Sequence, residues 1–110
     1  MPSMKLPRYS GLLRNPRLFL LRRVVGRSMS PKLEPGQLVI ATPLLRHVRP
    51  GEVVIVEHAG KQKVKRVERV SENKVFVVGD NLAASTDSRH FGWLSFDHIV
   101  AKVLWPKLAK

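Results

Sequence analysis

The sequence contains no cysteine. Disulfides, thiol nucleophiles and thiolate metal sites are therefore excluded. Acidic residues are scarce as well: eight Asp and Glu face twenty Lys and Arg, a formal charge of +12. Such an imbalance favours acidic partners, whether nucleic acid, an anionic membrane surface or an acidic protein. Aromatic residues make up only 6% of the chain, few for the exposed stacking platforms that small basic nucleic-acid-binding barrels use. Phe76, Phe91, Trp93, Phe96 and Trp105 fall in runs that read as core or strand ends, so no nucleic acid is expected as a partner. Long apolar runs are missing too. Nothing approaches the roughly 20 residues of a membrane-spanning helix, and Leu18-Phe19-Leu20-Leu21 is closed off by Arg17, Arg22 and Arg23. No small-residue cleavage site follows an apolar core of signal-peptide length. The chain reads as soluble and cytoplasmic.

What is present is one domain's worth of sequence. At 110 residues and 44% apolar content, the chain supports a single core and does not read as disordered. Residues 1–14 mix Pro, Ser and bases with no period and read as a tail. Residues 16–25 alternate apolar and basic side chains and suit a short helix or a strand. If helical, Leu18, Leu21 and Val25 share a face. A basic amphipathic segment of this kind either packs on its own domain or makes weak peripheral contact with a membrane.

From there the pattern is β. Strands are expected over 37–41, 53–57, 63–70, 74–78 and 99–105, with turns at Pro35-Gly36, Pro50-Gly51, Ala59-Gly60-Lys61 and Ser71-Glu72-Asn73. In one of them Val64, Val67 and Val70 recur at every third position, which suits a helix as well as a strand; the flanking hairpin favours a strand with a bulge or a strong twist. Five or six short strands with turns about every ten residues predict a mainly β fold, a small barrel or sandwich. The expected division is a basic tail or short helix over 1–23 and one folded domain over 24–110.

One stretch carries chemistry. In Gly26-Arg27-Ser28-Met29-Ser30-Pro31, a serine stands between a glycine and a Met-x-Pro turn at the mouth of a strand. A hydroxyl is inert at neutral pH without a base, and no Ser-His-Asp arrangement is apparent. Lys65 is the other candidate. On a strand bordering the core its ammonium loses solvation, its pKa falls, and a neutral amine becomes available to accept the serine proton. The competing reading is that Lys65 is one of twenty solvated bases. The four histidines, His47, His58, His90 and His98, show no metal-ligand spacing, and neither metal nor other cofactor is expected.

Three segments together resemble the signal-peptidase-type serine endopeptidases, which work through a Ser-Lys dyad. The first is Gly26-Arg27-Ser28-Met29-Ser30-Pro31, with Pro35-Gly36 and Leu38-Val39-Ile40 behind it; the second is Lys65-Arg66-Val67; the third is Gly79-Asp80-Asn81 with Ser85, Asp87-Ser88-Arg89 and Gly92. The resemblance implies Ser28 as nucleophile and oxyanion donor through its own N–H, and Lys65 as general base. It implies that Ser85 orients Lys65, that Gly26 lies in the oxyanion region, and that Asp80, Asn81, Asp87 and Arg89 brace the loop. Where many bacterial members carry a serine oxyanion donor this chain has Gly26, and Leu82 replaces the usual arginine. Residues 68–70 lead straight to the last segment without a large inserted domain, and no membrane anchor is seen. An anchor-free subgroup is therefore the nearest resemblance: the maturation proteases of nickel-type superoxide dismutase, whose last box resembles residues 79–92. The implied task is removal of an N-terminal propeptide from a protein precursor. Alternatives are a signal-peptide-cleaving peptidase, a self-cleaving-repressor-type peptidase and a basic nucleic-acid-binding barrel.

Overall fold

The computed structural model describes residues 18–44 and 47–108. Seven strands form one antiparallel sheet: β1 (Leu20–Arg23), β2 (Leu38–Thr42), β3 (Val53–His58), β4 (Lys61–Ser71), β5 (Lys74–Val78), β6 (Leu94–Ser95) and β7 (Ile99–Trp105). Their order across the sheet is β1-β2-β7-β3-β4-β5-β6. The mainly β expectation is met. The strand not foreseen is the two-residue β6. For residues 16–25, which suited a short helix or a strand, the strand is the outcome: Leu20–Arg23 pairs in register with β2, from Leu20 opposite Ala41 to Arg23 opposite Leu38. Close alternation of apolar and basic residues fits a pleated edge as well as a helix, and pairing with β2 decides between them.

β3 is the central strand, and its continuous run Val53-Val54-Ile55-Val56 is buried throughout. Successive residues of a strand point to opposite faces, so the run feeds two cores. Val53 and Ile55 join Val24, Met29, Leu33, Val39, Ala41 and Ala101 on one side. Val54 and Val56 join Val67, Val75, Val77, Leu94 and Ile99 on the other. Each such valine contributes roughly 1.5–3 kcal/mol of burial.

The three-residue recurrence in β4 has a specific cause. Val64 packs against the first core, and Lys65 and Val67 fall at buried positions. Strict alternation would then turn Val70 away from Val67. A register shift between Val67 and Arg69 resets the pleat, and Val70 packs with Val67 on the second core. That is the anticipated bulge.

β3 and β4 are joined by Ala59-Gly60, both with positive φ (53° and 77°), a two-residue turn of the primed type that matches strand twist. In consequence Lys61–Arg66 pairs with β3, whereas pairing with β5 begins only at Arg66 opposite Val78. The first half of β4 is thus unpaired on its second edge. The sheet also curls: Arg22 of β1 donates to Gln62 of β4 at 2.9 Å, although three strands separate them in the sheet order.

Trp105 ends β7 as expected and is 56% exposed. The core reading is corrected for Trp93, which is 38% exposed and meets Phe76 edge to face beneath the Arg69 guanidinium. Among the described residues no helix is long and apolar enough to cross a membrane.

Candidate active site

Ser28 is carried on the turn between β1 and β2. Its neighbour Met29 is 1% exposed, Leu33 is fully buried, and both sit in the first core. The Met29 anchor fixes the turn and leaves Ser28 on its outer side. Backbone bonds from Ser30 to Arg27 and from Leu33 to Met29 close the turn, and the Ser30 hydroxyl donates to Glu34. Among the described residues no acceptor engages the Ser28 N–H. Gly26, two residues earlier, has φ +81°, a backbone conformation that glycine adopts without strain.

Lys65 projects from the open half of β4 and is 3% exposed. Its Nζ donates to Ser85 Oγ at 3.0 Å. Ser85 in turn donates to Asp87 Oδ2 at 2.5 Å, so its oxygen is left as an acceptor for Lys65. Asp87 is fully buried. Its carboxylate also accepts from the Gly79 N–H at 2.8 Å, Arg89 Nε at 2.9 Å, an Arg89 terminal nitrogen at 2.5 Å and the Arg89 N–H at 3.1 Å. The last bond makes Asp87 the N-cap of a single helical turn, α1 (Ser88–Phe91), where the sequence alone indicated a loop.

The other end of this segment is tied down separately. Asp80 forms a two-pronged pair with Arg66, both contacts at 2.9 Å. Arg66 is fully buried and also donates to the carbonyls of Gly51 and Leu108. Asn81 clamps the serine turn: its N–H donates to the Ser28 carbonyl at 2.7 Å, and its amide nitrogen to the Arg27 carbonyl at 3.0 Å. Asn81, expected from the resemblance to brace its own loop, ties that loop to the serine turn. Gly79 allows this close approach. A Cβ there would lie 2.3 Å from Ser85 Oγ and 2.7 Å from the Ser28 carbonyl oxygen.

Ser28 and Lys65 line one cleft of about 280 Å³, together with Val25, Gly26, Lys63 and Thr86. Among the described residues Ser28 Oγ has no hydrogen-bond partner, and the Lys65 ammonium is directed to Ser85. Arg66 and Gly79 were assigned no role from the sequence. Their signals were present in the bases and glycine of the second and third segments, but nothing in one dimension pairs Arg66 with Asp80 or sets Gly79 against Ser85.

Burial is the largest influence on Lys65 and lowers its pKa; Asp87 opposes this, while Lys63 and Arg89 reinforce it. Burial alone would raise the Asp87 pKa, yet bonds from Arg89, Ser85 and the Gly79 N–H outweigh it and hold the carboxyl well below the usual range. Its bond to Asp87 raises the Arg89 pKa in return. The arrangement thus offers a hydroxyl, a buried amine of lowered basicity and an unengaged N–H around one cleft. These are the parts of a nucleophile, a base and an oxyanion donor. No cluster of three or more His, Cys, Asp or Glu that could hold a metal occurs among the described residues.

Two relatives are similar to this chain. Signal peptidase I of Bacillus caldolyticus is 29% identical over an alignment 150 residues long, which covers 82% of each protein. Signal peptidase I V of Bacillus subtilis (strain 168) is 34% identical over 93 residues, 76% of this chain and 55% of that protein. Residues 3–95 match the family model described as Peptidase S24-like. With that match spanning most of its length, the chain belongs to the Peptidase S24-like family.

Proposed function

We propose that this protein is a serine endopeptidase in which Ser28 is the nucleophile and Lys65 the general base. The observation that carries the reading is a lysine 3% exposed, hydrogen-bonded to Ser85 and opening onto the cleft that Ser28 lines. Neutral Lys65 takes the Ser28 proton as Oγ attacks the scissile carbonyl. The Ser28 N–H stabilises the oxyanion, and Lys65 returns the proton to the leaving amine. Lys65 then activates water to cleave the acyl-enzyme. Apo contacts between nucleophile and base are commonly loose and tighten in the complex. Ser85 holds Lys65, Asp87 and Arg89 fix Ser85, and Asp80 and Asn81 hold the loop against the serine turn. The substrate lies extended beside residues 25–27, where the open edge of β4 offers backbone partners.

The substrate we favour is a protein precursor losing an N-terminal propeptide in the cytoplasm, specifically that of nickel-type superoxide dismutase. Its support is the similarity of residues 79–92 to the last box of those maturation proteases. A second reading, signal-peptide cleavage at a membrane surface, draws on the relatives' names and on Val25, 89% exposed, at the cleft.

The test is intact-mass analysis of the dismutase precursor, and separately of a signal-peptide-bearing precursor, mixed with wild type, Ser28→Ala or Lys65→Ala. One defined N-terminal fragment should be released by wild type alone. Cleavage that persists in Ser28→Ala would sink the mechanism. Cleavage of only the signal-peptide substrate would sink the maturation role.

A further inference from the structure

The cleft that holds Ser28 and Lys65 has walls of one sign. Arg27, Lys61 and Lys63 line it. Of the chain's eight carboxylate residues, none does. Nor does any carboxylate pair with these three bases: the Lys and Arg ion pairs among the described residues join Arg66 to Asp80, Arg89 to Asp87 and Lys102 to Glu52. Lys63 stands over the Phe91 ring, 5.6 Å from its centre. That contact leaves the charge of Lys63 unneutralised.

Spacing along β4 turns this into a specificity argument. Lys61, Lys63 and Lys65 are alternate residues of one strand and share a face, about 7 Å apart in succession. All three border the half of β4 left open by β5. A peptide extended along that edge with its scissile bond at Lys65 sets side chains two and four residues away beside Lys63 and Lys61. Resting on the peptidase reading, we infer that the enzyme selects substrates with an Asp or Glu two to four residues from the scissile bond, through Lys61, Lys63 and Arg27. Unpaired bases at the rim of a cleft act on encounter rate and choice of partner more than on total affinity, so the preference is modest and salt-sensitive.

The experiment uses sets of short peptides, each with one position fixed as Glu, Gln or Lys and the rest randomised, cut by the full chain and read by mass spectrometry. Binding of the same sets to Ser28→Ala protein is measured alongside. Glu peptides should be cut about two- to fivefold faster than Gln peptides at low salt, as expected for largely exposed pairs. The advantage should shrink above about 0.5 M salt. Lys61→Glu and Lys63→Glu should each reverse the Glu-to-Lys ratio, a readout that overall loss of activity does not move. Ser28-dependent cleavage with no charge preference would overturn this inference and leave the peptidase standing. No Ser28-dependent cleavage of any set would overturn both. Tighter binding of a single-stranded oligonucleotide than of the Glu peptides would assign the basic cleft to nucleic acid instead.

Discussion

Replacing Gly79 with alanine adds one methyl group, yet the structure predicts a large effect. The new Cβ would sit 2.3 Å from Ser85 Oγ, 2.7 Å from Ser85 Cβ and 2.7 Å from the Ser28 carbonyl oxygen. Carbon–carbon contacts are optimal near 3.5–4.0 Å, so relief requires a displacement on the order of 1 Å. Neither neighbour yields easily. The Ser28 carbonyl is held by the Asn81 N–H, and Ser85 is held between Lys65 and Asp87. Overpacking of this kind costs about 1–3 kcal/mol, which in a domain of this size lowers the melting temperature by on the order of 10 °C. On the proposed mechanism the displaced groups carry Ser28 and orient Lys65, so turnover should fall about 100-fold. Circular-dichroism melting and a single-turnover assay at a temperature where the variant is fully folded separate the two effects. Gly51→Ala is the control: its glycine has positive φ but no atom within 4 Å of the added Cβ, so it should lose stability without specific loss of turnover. A Gly79→Ala protein with full activity and an unchanged melting temperature would refute the close packing of the two loops.

Lys65→Met should be inactive but more stable by about 1 kcal/mol, since a site residue commonly trades stability for function. The sign follows from linkage: the folded pKa lies below the ordinary 10.5, so between the two values the unfolded chain binds the extra proton, and burial of Lys65 costs stability at neutral pH. For the same reason kcat/KM of the wild type should rise with pH to a midpoint below 10.5, and a pH–rate profile with its midpoint at or above that value would refute the buried base. Asp80→Asn leaves Arg66, with no solvent exposure, facing a neutral amide, and should cost about 3–5 kcal/mol in urea unfolding. Adding Arg66→Met should recover much of that loss, and a single-variant shift below about 1 kcal/mol would show that the pair is not buried in effect.

The strands that could be read from the sequence, 37–41, 53–57, 63–70, 74–78 and 99–105, carry apolar runs bounded by turn residues and needed mainly local pattern. β1 could not be separated from a helix because four residues at a sheet edge carry too little periodicity. β6 is two residues long, and its existence depends on β5 lying beside it. Ser28, Lys65, Ser85, Asp87 and Arg89 were all singled out in advance, by motif rather than by energetics. Spacing cannot tell a buried lysine from an exposed one. The turn α1 escaped because Asp87-Ser88-Arg89 has the composition of a polar loop, and its helicity comes from the Asp87 cap and from Ser88, which bonds the Val77 N–H. Arg66 was hidden for the opposite reason: in a chain with twenty bases, one more arginine in a strand attracts no notice until its carboxylate partner is found fourteen residues away.

The electrostatic design of the site follows from this scarcity of acid. A buried carboxylate close to Lys65 should stabilise the ammonium and defeat the purpose of burying it. Asp87 does push in that direction, yet the net effect on Lys65 is downward. Arg89 explains how both hold. By engaging Asp87 through its side chain and backbone N–H, it compensates the carboxylate that Ser85 needs as an acceptor. Its own charge, with that of Lys63, adds to the pressure on Lys65. Asp87 can then fix the Ser85 hydroxyl as a donor, and leave its oxygen to receive Lys65, without restoring the lysine to ordinary basicity. The surplus of positive charge, which at first points only to acidic partners, thus also acts within the site by helping to disfavour protonation of Lys65.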